Sequence, residues 1–340
     1  MYQDEMAVAI GAVMHASKLC RRVRAALVTD DTMTKKDRSP VTVADLGAQA
    51  IVSHALMQRF PSDPLVAEET AAILRDPENV EVRSKVLDHV AAVYPDLTGD
   101  AVLQAIDRGD SSGGSRGRFW TVDPIDGTKG FIRGDQYAIA VALIEDGEVV
   151  VGVLGCPNLP ARALAGQEDA GVIYAASKAG GCVVMKRDGS DLGGISVADV
   201  ADPGGVRVCQ SVEAAHTSHS RAGRIVERLG IKCEPVCLDS QCKYAVVARG
   251  EAGIYMRLPG LKSTYTEKIW DHAAGWMIVT EAGGRVSDID GRPLDFSRGR
   301  ELQGNRGVVA TSAGIHEAVL EAVQAVYAED AAAEAAGTPS

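Results

Sequence analysis

The segment FWTVDPIDGTKGF, residues 119–131, constrains this chain more than any other. An apolar run enters Asp123-Pro124, and Pro124 stiffens the chain at what reads as a strand's end. Asp123 and Asp126 can then project from one side of a sharp turn. Two carboxylates that close repel each other unless a divalent cation lies between them. Gly127 and Thr128 open a helix or tight turn whose backbone N–H groups can receive a phosphate. A phosphoaspartyl enzyme would need D-x-D-x-T, whereas the spacing here is D-x-x-D-G-T. Alone, such an Asx-Pro-Gly turn is common on protein surfaces. Flanked by apolar strands, it reads as a site.

The surrounding pattern supplies partners for that strand. Tyr137–Ile144 and Glu148–Leu154 read as strands joined at Asp146-Gly147, a hairpin signal. PLVAEE, residues 64–69, reads as a short strand ending in the adjacent acids Glu68 and Glu69. Residues 3–28 carry helical periodicity. Residues 35–43 read as extended, because Pro40 biases Ser39 away from helix. A helix is predicted from about Ala44 to Phe60, with Ala48, Ile51, Val52, Ala55 and Leu56 as its stripe. Asp45 precedes two stripe positions by three and seven residues, so it points along the buried face. A carboxylate there needs a metal, a water network or a cation; with Thr42 it also fits a capping arrangement. Asp271 stands in the same relation to Ala274 and Ile278, in the first turn of a predicted helix whose Ala273, Ala274 and Gly275 allow close approach. Oxygen-only ligands of this kind suit Mg²⁺.

The remaining segments set the organisation. Residues 71–107 read as an insertion of two or three helices, and residues 110–118 as a mobile Gly/Ser-rich loop. From about residue 160 strands and helices alternate, which predicts an α/β second lobe. The expected division is a lobe at 1–158 carrying most of the acids, a second lobe at 159–328, and a disordered Ala-rich tail at 329–340.

Of the 340 residues, 46% are apolar, ample for a sizeable core, and no apolar run is long enough to span a bilayer. The net charge of −11 argues against nucleic acid or an anionic membrane as partner. A phosphorylated small molecule remains compatible if cations and a local basic cluster neutralise it. The first residues lack a basic region followed by an apolar one, so no secretion signal is expected. Seven cysteines point to reduced thiols inside the cell, cytoplasmic, or organellar if a transit peptide has been removed. Cys233, Cys237 and Cys242 do not have zinc-knuckle spacing and read as a strand followed by a helix.

WTVDPIDGTKGFIR and WDHAAGWMIVTEAGG resemble the two signatures of the inositol-monophosphatase superfamily. SPVTVADLGAQ, SVEAAHTSH, CLDSQCKYAVVARGEAGIYMRLP and EKIWDHAAG are similar to its PAP-phosphatase branch, and the similarity spans about residues 5–325. The resemblance implies an α/β fold, a layered αβαβα sandwich of the sugar-phosphatase type with two lobes and the site at their junction. It also implies two Mg²⁺ ions or three, held by Glu68, Asp123, Asp126, Asp271 and the Ile125 carbonyl. Asp45 and Thr128 would activate the water, with Glu69 behind them. Gly127, Thr128, His219, Ser240, Lys243, Arg257 and Asp271 would contact the substrate, which would be PAP, PAPS or inositol 1,4-bisphosphate. Lithium sensitivity and a monomeric state are expected with it. From the residues alone, Asp239-Ser240-Gln241 is equally a helix cap, Lys243 an exposed lysine, and His216 and His219 a solvated helix start. An inositol-phosphate or fructose-bisphosphate phosphatase would share the acids but not the 239–257 segment. A non-catalytic metal or nucleotide sensor would retain the fold without turnover.

Overall fold

The computed structural model describes residues 1–29, 39–161, 170–212 and 219–335. The chain opens with two long helices, α1 (Gln3–Thr29) and α2 (Ser39–Arg59). The start of α2 corrects the extended reading of residues 35–43: residues 39–43 are helical, and 35–38 lie outside the described residues. Pro40 falls in the first turn, where its missing N–H would have no helical partner anyway and its fixed φ suits the helix. The short strand β1 (Leu65–Ala67) follows, and the insertion then supplies α3 (Ala72–Arg75), α4 (Val80–Ala91) and α5 (Gly99–Asp107). Next come β2 (Arg118–Asp126), α6 (Thr128–Arg133), β3 (Ala138–Glu145) and β4 (Glu148–Pro160). The β3–β4 hairpin turns at Asp146 and Gly147, both at positive φ, as a turn that matches strand twist requires.

The lobe boundary expected at 158/159 does not coincide with a break between sheets. β5 (Ala170–Ser177), β6 (Gly181–Lys186) and β7 (Asp191–Ile195) continue the first sheet, whose seven strands lie in chain order. β1 pairs parallel with β2, and the other pairs are antiparallel. Tight turns at Ala179-Gly180 and Asp188-Gly189 return the chain as hairpins, so no helix lies between Ala170 and Ile195.

The second sheet is built from β8 (Val208–Gln210), β9 (Val236–Cys237), β10 (Ile254–Arg257), β11 (Gly284–Ser287) and β12 (Val308–Ser312), in the order β11-β12-β10-β8-β9. Its helices are α7 (His219–Arg228), α8 (Cys242–Ala248), α9 (Ala273–Glu281) and α10 (His316–Ala335). The last of these corrects the tail: residues 329–335 finish α10, and 336–340 lie outside the described residues. Alanine-rich sequence favours helix, and Glu329 and Asp330 are tied to α7, with Asp330 accepting from Arg221 Nε at 2.7 Å.

Strand periodicity sets the layers. Ile139, Val141 and Leu143 of β3 bury against α1 and α2, while Ala138, Ala140 and Ala142 turn to the other core with Ala245 of α8 and Ile278 of α9. Tyr255 and Ala310 of the second sheet join that middle core. Ile254, Met256 and Val309 point away, toward Ile225 of α7 and Val319 of α10. The result is the expected αβαβα stack. The middle layer is tight: a Cβ on Gly152 would lie 2.8 Å from the Ala274 carbonyl oxygen.

His316, 1% exposed, links the last helix to the second sheet. Ser287 Oγ donates to the Asp288 carbonyl and so accepts from His316 Nε2 at 3.0 Å, leaving Nδ1 to accept from Thr311 Oγ1 at 2.8 Å. Burial, with help from Arg285, lowers this imidazole to about 4. Its folded pKa lies below the unfolded one, so its contribution is complete above about pH 6.5 and is lost as pH falls through 4. Thermal unfolding of His316→Asn, followed from pH 7.5 to 4, is therefore expected to show lower stability at neutral pH and a flatter acid limb than wild type. Parallel curves for the two proteins would count against this role.

Candidate active site

β2 delivers the first two acids. Its register with β3 shifts between Asp123 and Asp126, and that irregularity sets both carboxylates beside the sheet's end. Asp123, 2% exposed, accepts from the Ile125 N–H at 3.1 Å. Gly127 turns the chain at φ 87° into α6, and a Cβ there would sit 2.9 Å from that of Ser240, so turn and contact alike require glycine. Glu68 follows β1, and its carboxyl is in hydrogen-bond contact with that of Asp123. Asp271 arrives from the other direction. It ends a 3₁₀ turn, Ile269–Asp271, just before α9, rather than lying in the helix's first turn as expected.

These acids share one field. Glu68 opens to solvent at its outer edge, yet enclosure by protein and the charges of Asp271, Glu69 and Asp126 push its carboxyl up to about 7. Burial, opposed by His272 and reinforced by Asp126, raises Asp271 to about 6. Asp123 is raised well above the usual carboxylate range by burial and then by Glu68, Asp126 and Asp271. Among the described residues, no lysine or arginine bonds any of the four. Hard oxygen donors, mutually repelling and with no bonded side-chain cation, fit a divalent cation such as Mg²⁺.

Asp45 stands behind this group, 7% exposed, and burial followed by Glu69 and Glu68 raises its carboxyl well above the usual range. Thr128 lines the cavity, but its Oγ1 faces the Ile125 carbonyl at 3.5 Å rather than Asp45. Glu69, raised by burial, is fixed through its backbone: Gln49 of α2 accepts from its N–H at 3.0 Å and donates to its carbonyl at 2.7 Å.

The acids open into a cavity of about 350 Å³ that Ser240, Lys243 and Arg257 also line. Ser240 lies at φ 65°, with Oγ accepting from the Cys242 N–H at 3.2 Å. Lys243 is buried, not an exposed lysine: Nζ reaches the Leu238 carbonyl at 3.4 Å and lies 5.3 Å from the Tyr255 ring centre. Burial lowers its ammonium against the pull of Asp126. His219 opens α7, but its side chain, like all of His216, lies outside the described residues.

Two residues to which the sequence gives no role in the site, Gln241 (expected only as part of a helix cap) and Glu267, hold it together. Gln241 donates its backbone N–H to Asp126 Oδ2 at 2.5 Å, while its side-chain amide donates to the Trp270 carbonyl at 2.9 Å and accepts from the Gly275 N–H at 3.0 Å. Glu267, 5% exposed, accepts from Arg257 Nε at 2.8 Å and pairs with His272 Nε2 at 3.2 Å. Burial works against the Glu267 carboxylate, but His272 and Arg257 keep it below its ordinary range. His272 Nδ1 in turn meets the Tyr244 hydroxyl at 2.8 Å. Glu267, Asp271 and His272 bring donor atoms within 4.8 Å of one another, with Glu267 already neutralised by Arg257.

The sequence profile of the inositol monophosphatase family matches residues 1–328. The 3′(2′),5′-bisphosphate nucleotidase of Schizosaccharomyces pombe is 44% identical, the alignment covering 97% of each chain. The 3′(2′),5′-bisphosphate nucleotidase 1 of Candida albicans is 43% identical over 95% of each chain. In three dimensions, the inositol monophosphatase of Anabaena superimposes with a TM-score of 0.59 at 17% identity, covering 95% of this chain and 96% of its own. That likeness bears on the fold.

Proposed function

The chain belongs to the inositol monophosphatase family and is a phosphoric monoester hydrolase, and from that premise we propose that it hydrolyses the 3′-phosphate of 3′-phosphoadenosine 5′-phosphate (PAP) to give AMP. PAPS, converted to APS, would be a second substrate, and inositol 1,4-bisphosphate a third. One observation carries this reading: a single cavity is lined both by the carboxylates Glu68, Asp123, Asp126 and Asp271 and by the cations Lys129, Lys243 and Arg257. PAP has two phosphates of which one leaves, and the two kinds of lining group answer to them.

Glu68, Asp123, Asp126, Asp271 and the Ile125 carbonyl would hold two Mg²⁺ ions or three. When bound, such ions lower the pKa of water and offset charge on the phosphoryl oxygens. The chain's own groups do the rest. With its hydroxyl turned from the Ile125 carbonyl toward Asp45, Thr128 Oγ1 would accept the water's proton and pass its own to that carboxylate, which burial and neighbouring acids make more basic. The N–H groups of Gly127 and Thr128 would steady the leaving phosphate. Lys243 and Arg257 would hold the 5′-phosphate with charge-assisted bonds. All seven cysteines are free, in keeping with a reducing setting; a cytoplasmic location and a monomeric state belong to the same proposal. Among the described residues no helix is long and apolar enough to cross a membrane.

A phosphate-release assay with PAP, inositol 1-phosphate and fructose 1,6-bisphosphate tests the proposal. PAP is expected to have the highest kcat/KM, and equal or better turnover of inositol 1-phosphate overturns the reading. Lithium is read in the same assay. Li⁺ resembles Mg²⁺ in radius but has half its charge, so LiCl should suppress PAP hydrolysis at fixed Mg²⁺ while NaCl at equal ionic strength does not.

A further inference from the structure

The carboxylates, Lys243 and Arg257 leave part of such a substrate without a partner. A nucleoside bisphosphate also presents a flat base, projecting from the ribose away from both phosphates. A base bound in a shallow, polar cavity needs an accessible aromatic or apolar face. Most apolar side chains at this cavity cannot supply one. Ile125 and Met256 are 1% and 4% exposed. Tyr255, 6% exposed, is covered by the edge of Tyr244 at 5.0 Å between ring centres and by the Lys243 ammonium.

Tyr265 differs. It lines the same cavity from the segment between β10 and Asp271, and it is 56% exposed. Its backbone N–H is anchored to Ser263 Oγ at 3.3 Å. The Arg257 guanidinium lies 5.9 Å from its ring centre, itself held by Glu267. So one side of the ring is backed by a fixed cation while more than half of the residue stays open. Among the described residues that line the cavity, it is the aromatic with a ring free to receive a planar ligand.

We propose that Tyr265 is the platform on which the nucleobase stacks, with Arg257 serving the base's platform and the remote phosphate together. The inference rests on the nucleotide reading of this site. Because stacking is tolerant of base identity, the platform selects for a base without selecting which purine. It therefore separates nucleoside bisphosphates from inositol phosphates, which have no planar group.

The test compares AMP with ribose 5-phosphate, which is AMP without its base, as ligands of the full-length protein with Mg²⁺ present. Calorimetry measures both on wild type, Tyr265→Ala and Tyr265→Phe. A base–aromatic stack is worth about fivefold to a hundredfold in affinity. Tyr265→Ala is expected to lose that factor for AMP and to keep wild-type affinity for ribose 5-phosphate, while Tyr265→Phe retains both. Equal losses for the two ligands would overturn the platform, because Tyr265 would then act only by positioning Arg257. Unchanged AMP affinity in Tyr265→Ala would overturn it as well. Wild type that binds neither ligand and does not turn over PAP overturns the nucleotide reading itself. The exposed position makes loss of folding an unsuitable explanation, and equal melting temperatures of the three proteins check this.

Discussion

Replacing Asp123 by asparagine is expected to reduce phosphate release by about a thousandfold or more, in line with the largest losses seen when a single charge-stabilising group is removed. The same change should stabilise the metal-free protein. Asparagine keeps the shape of the side chain, so its Oδ1 can still accept from the Ile125 N–H, and its amide can donate to Glu68. What disappears is a carboxyl whose ionisation burial and the neighbouring acids oppose. The repulsion has a pH signature. Glu68 is raised from 4.5 to about 7 and Asp271 from 3.8 to about 6. Their folded values lie above the unfolded ones, so stability is full at low pH and declines as pH rises through those values. Metal-free wild type should therefore melt at progressively lower temperature between about pH 4 and 7, and Asp123→Asn should fall less. Melting curves in EDTA and in MgCl₂ check both halves: Mg²⁺ should raise the melting temperature of wild type strongly and that of the variant weakly. Near-normal turnover of the variant at saturating Mg²⁺ would remove the carboxylate cluster from the chemistry.

Arg257→Ala carries the second large effect. A charge-assisted hydrogen bond contributes about 1.5–3 kcal/mol, so kcat/KM on PAP should fall roughly tenfold to a hundredfold. Most of the loss should lie in KM if the contact is equally strong in ground and transition states. Truncation also strands the buried Glu267 carboxylate beside His272 and, through it, Asp271. The double variant Arg257→Ala, Glu267→Gln removes that stray charge and isolates the substrate contact. Inositol 1-phosphate, with no second phosphate, should be turned over by the double variant as by wild type. If both substrates suffer alike, Arg257 supports the acid cluster instead. Lys243→Ala is expected to behave in the same direction, with an added packing loss because the ammonium stem is buried.

What could be read along the chain was what period and turn chemistry encode. Alternation in 137–144 and the Asp146-Gly147 turn gave the hairpin, and helical spacing placed Asp45 on a buried face. Three misreadings have physical causes. Pro40 was taken as a helix breaker, although its effect depends on whether it falls in the first turn or later. The alternation of strands and helices expected from about residue 160 holds from Val208 on but fails over 170–195, because glycine-containing turns mark a hairpin return and a helix boundary alike. Residues 329–335 look like low-complexity tail until the arginines of α7 lie opposite. The site roles of Gln241 and Glu267 are hidden from the sequence for another reason. Their partners, Asp126 and Arg257, are 115 and 10 residues away, and no local pattern reports what will lie across a cavity.

Gln241 also changes how occupancy of the cavity must be counted. Its N–H holds Asp126, its amide holds the backbone on both sides of Asp271, and its neighbours Ser240 and Lys243 line the same cavity. A ligand that orders residues 239–243 thereby also orders the Asp126 carboxylate, and the converse holds. Two groups joined through one residue are thermodynamically linked, and linkage is reciprocal. Whatever factor the divalent ions lend to nucleotide affinity, the nucleotide must return to them. On the proposed function, departure of AMP would then also weaken the hold on the ions.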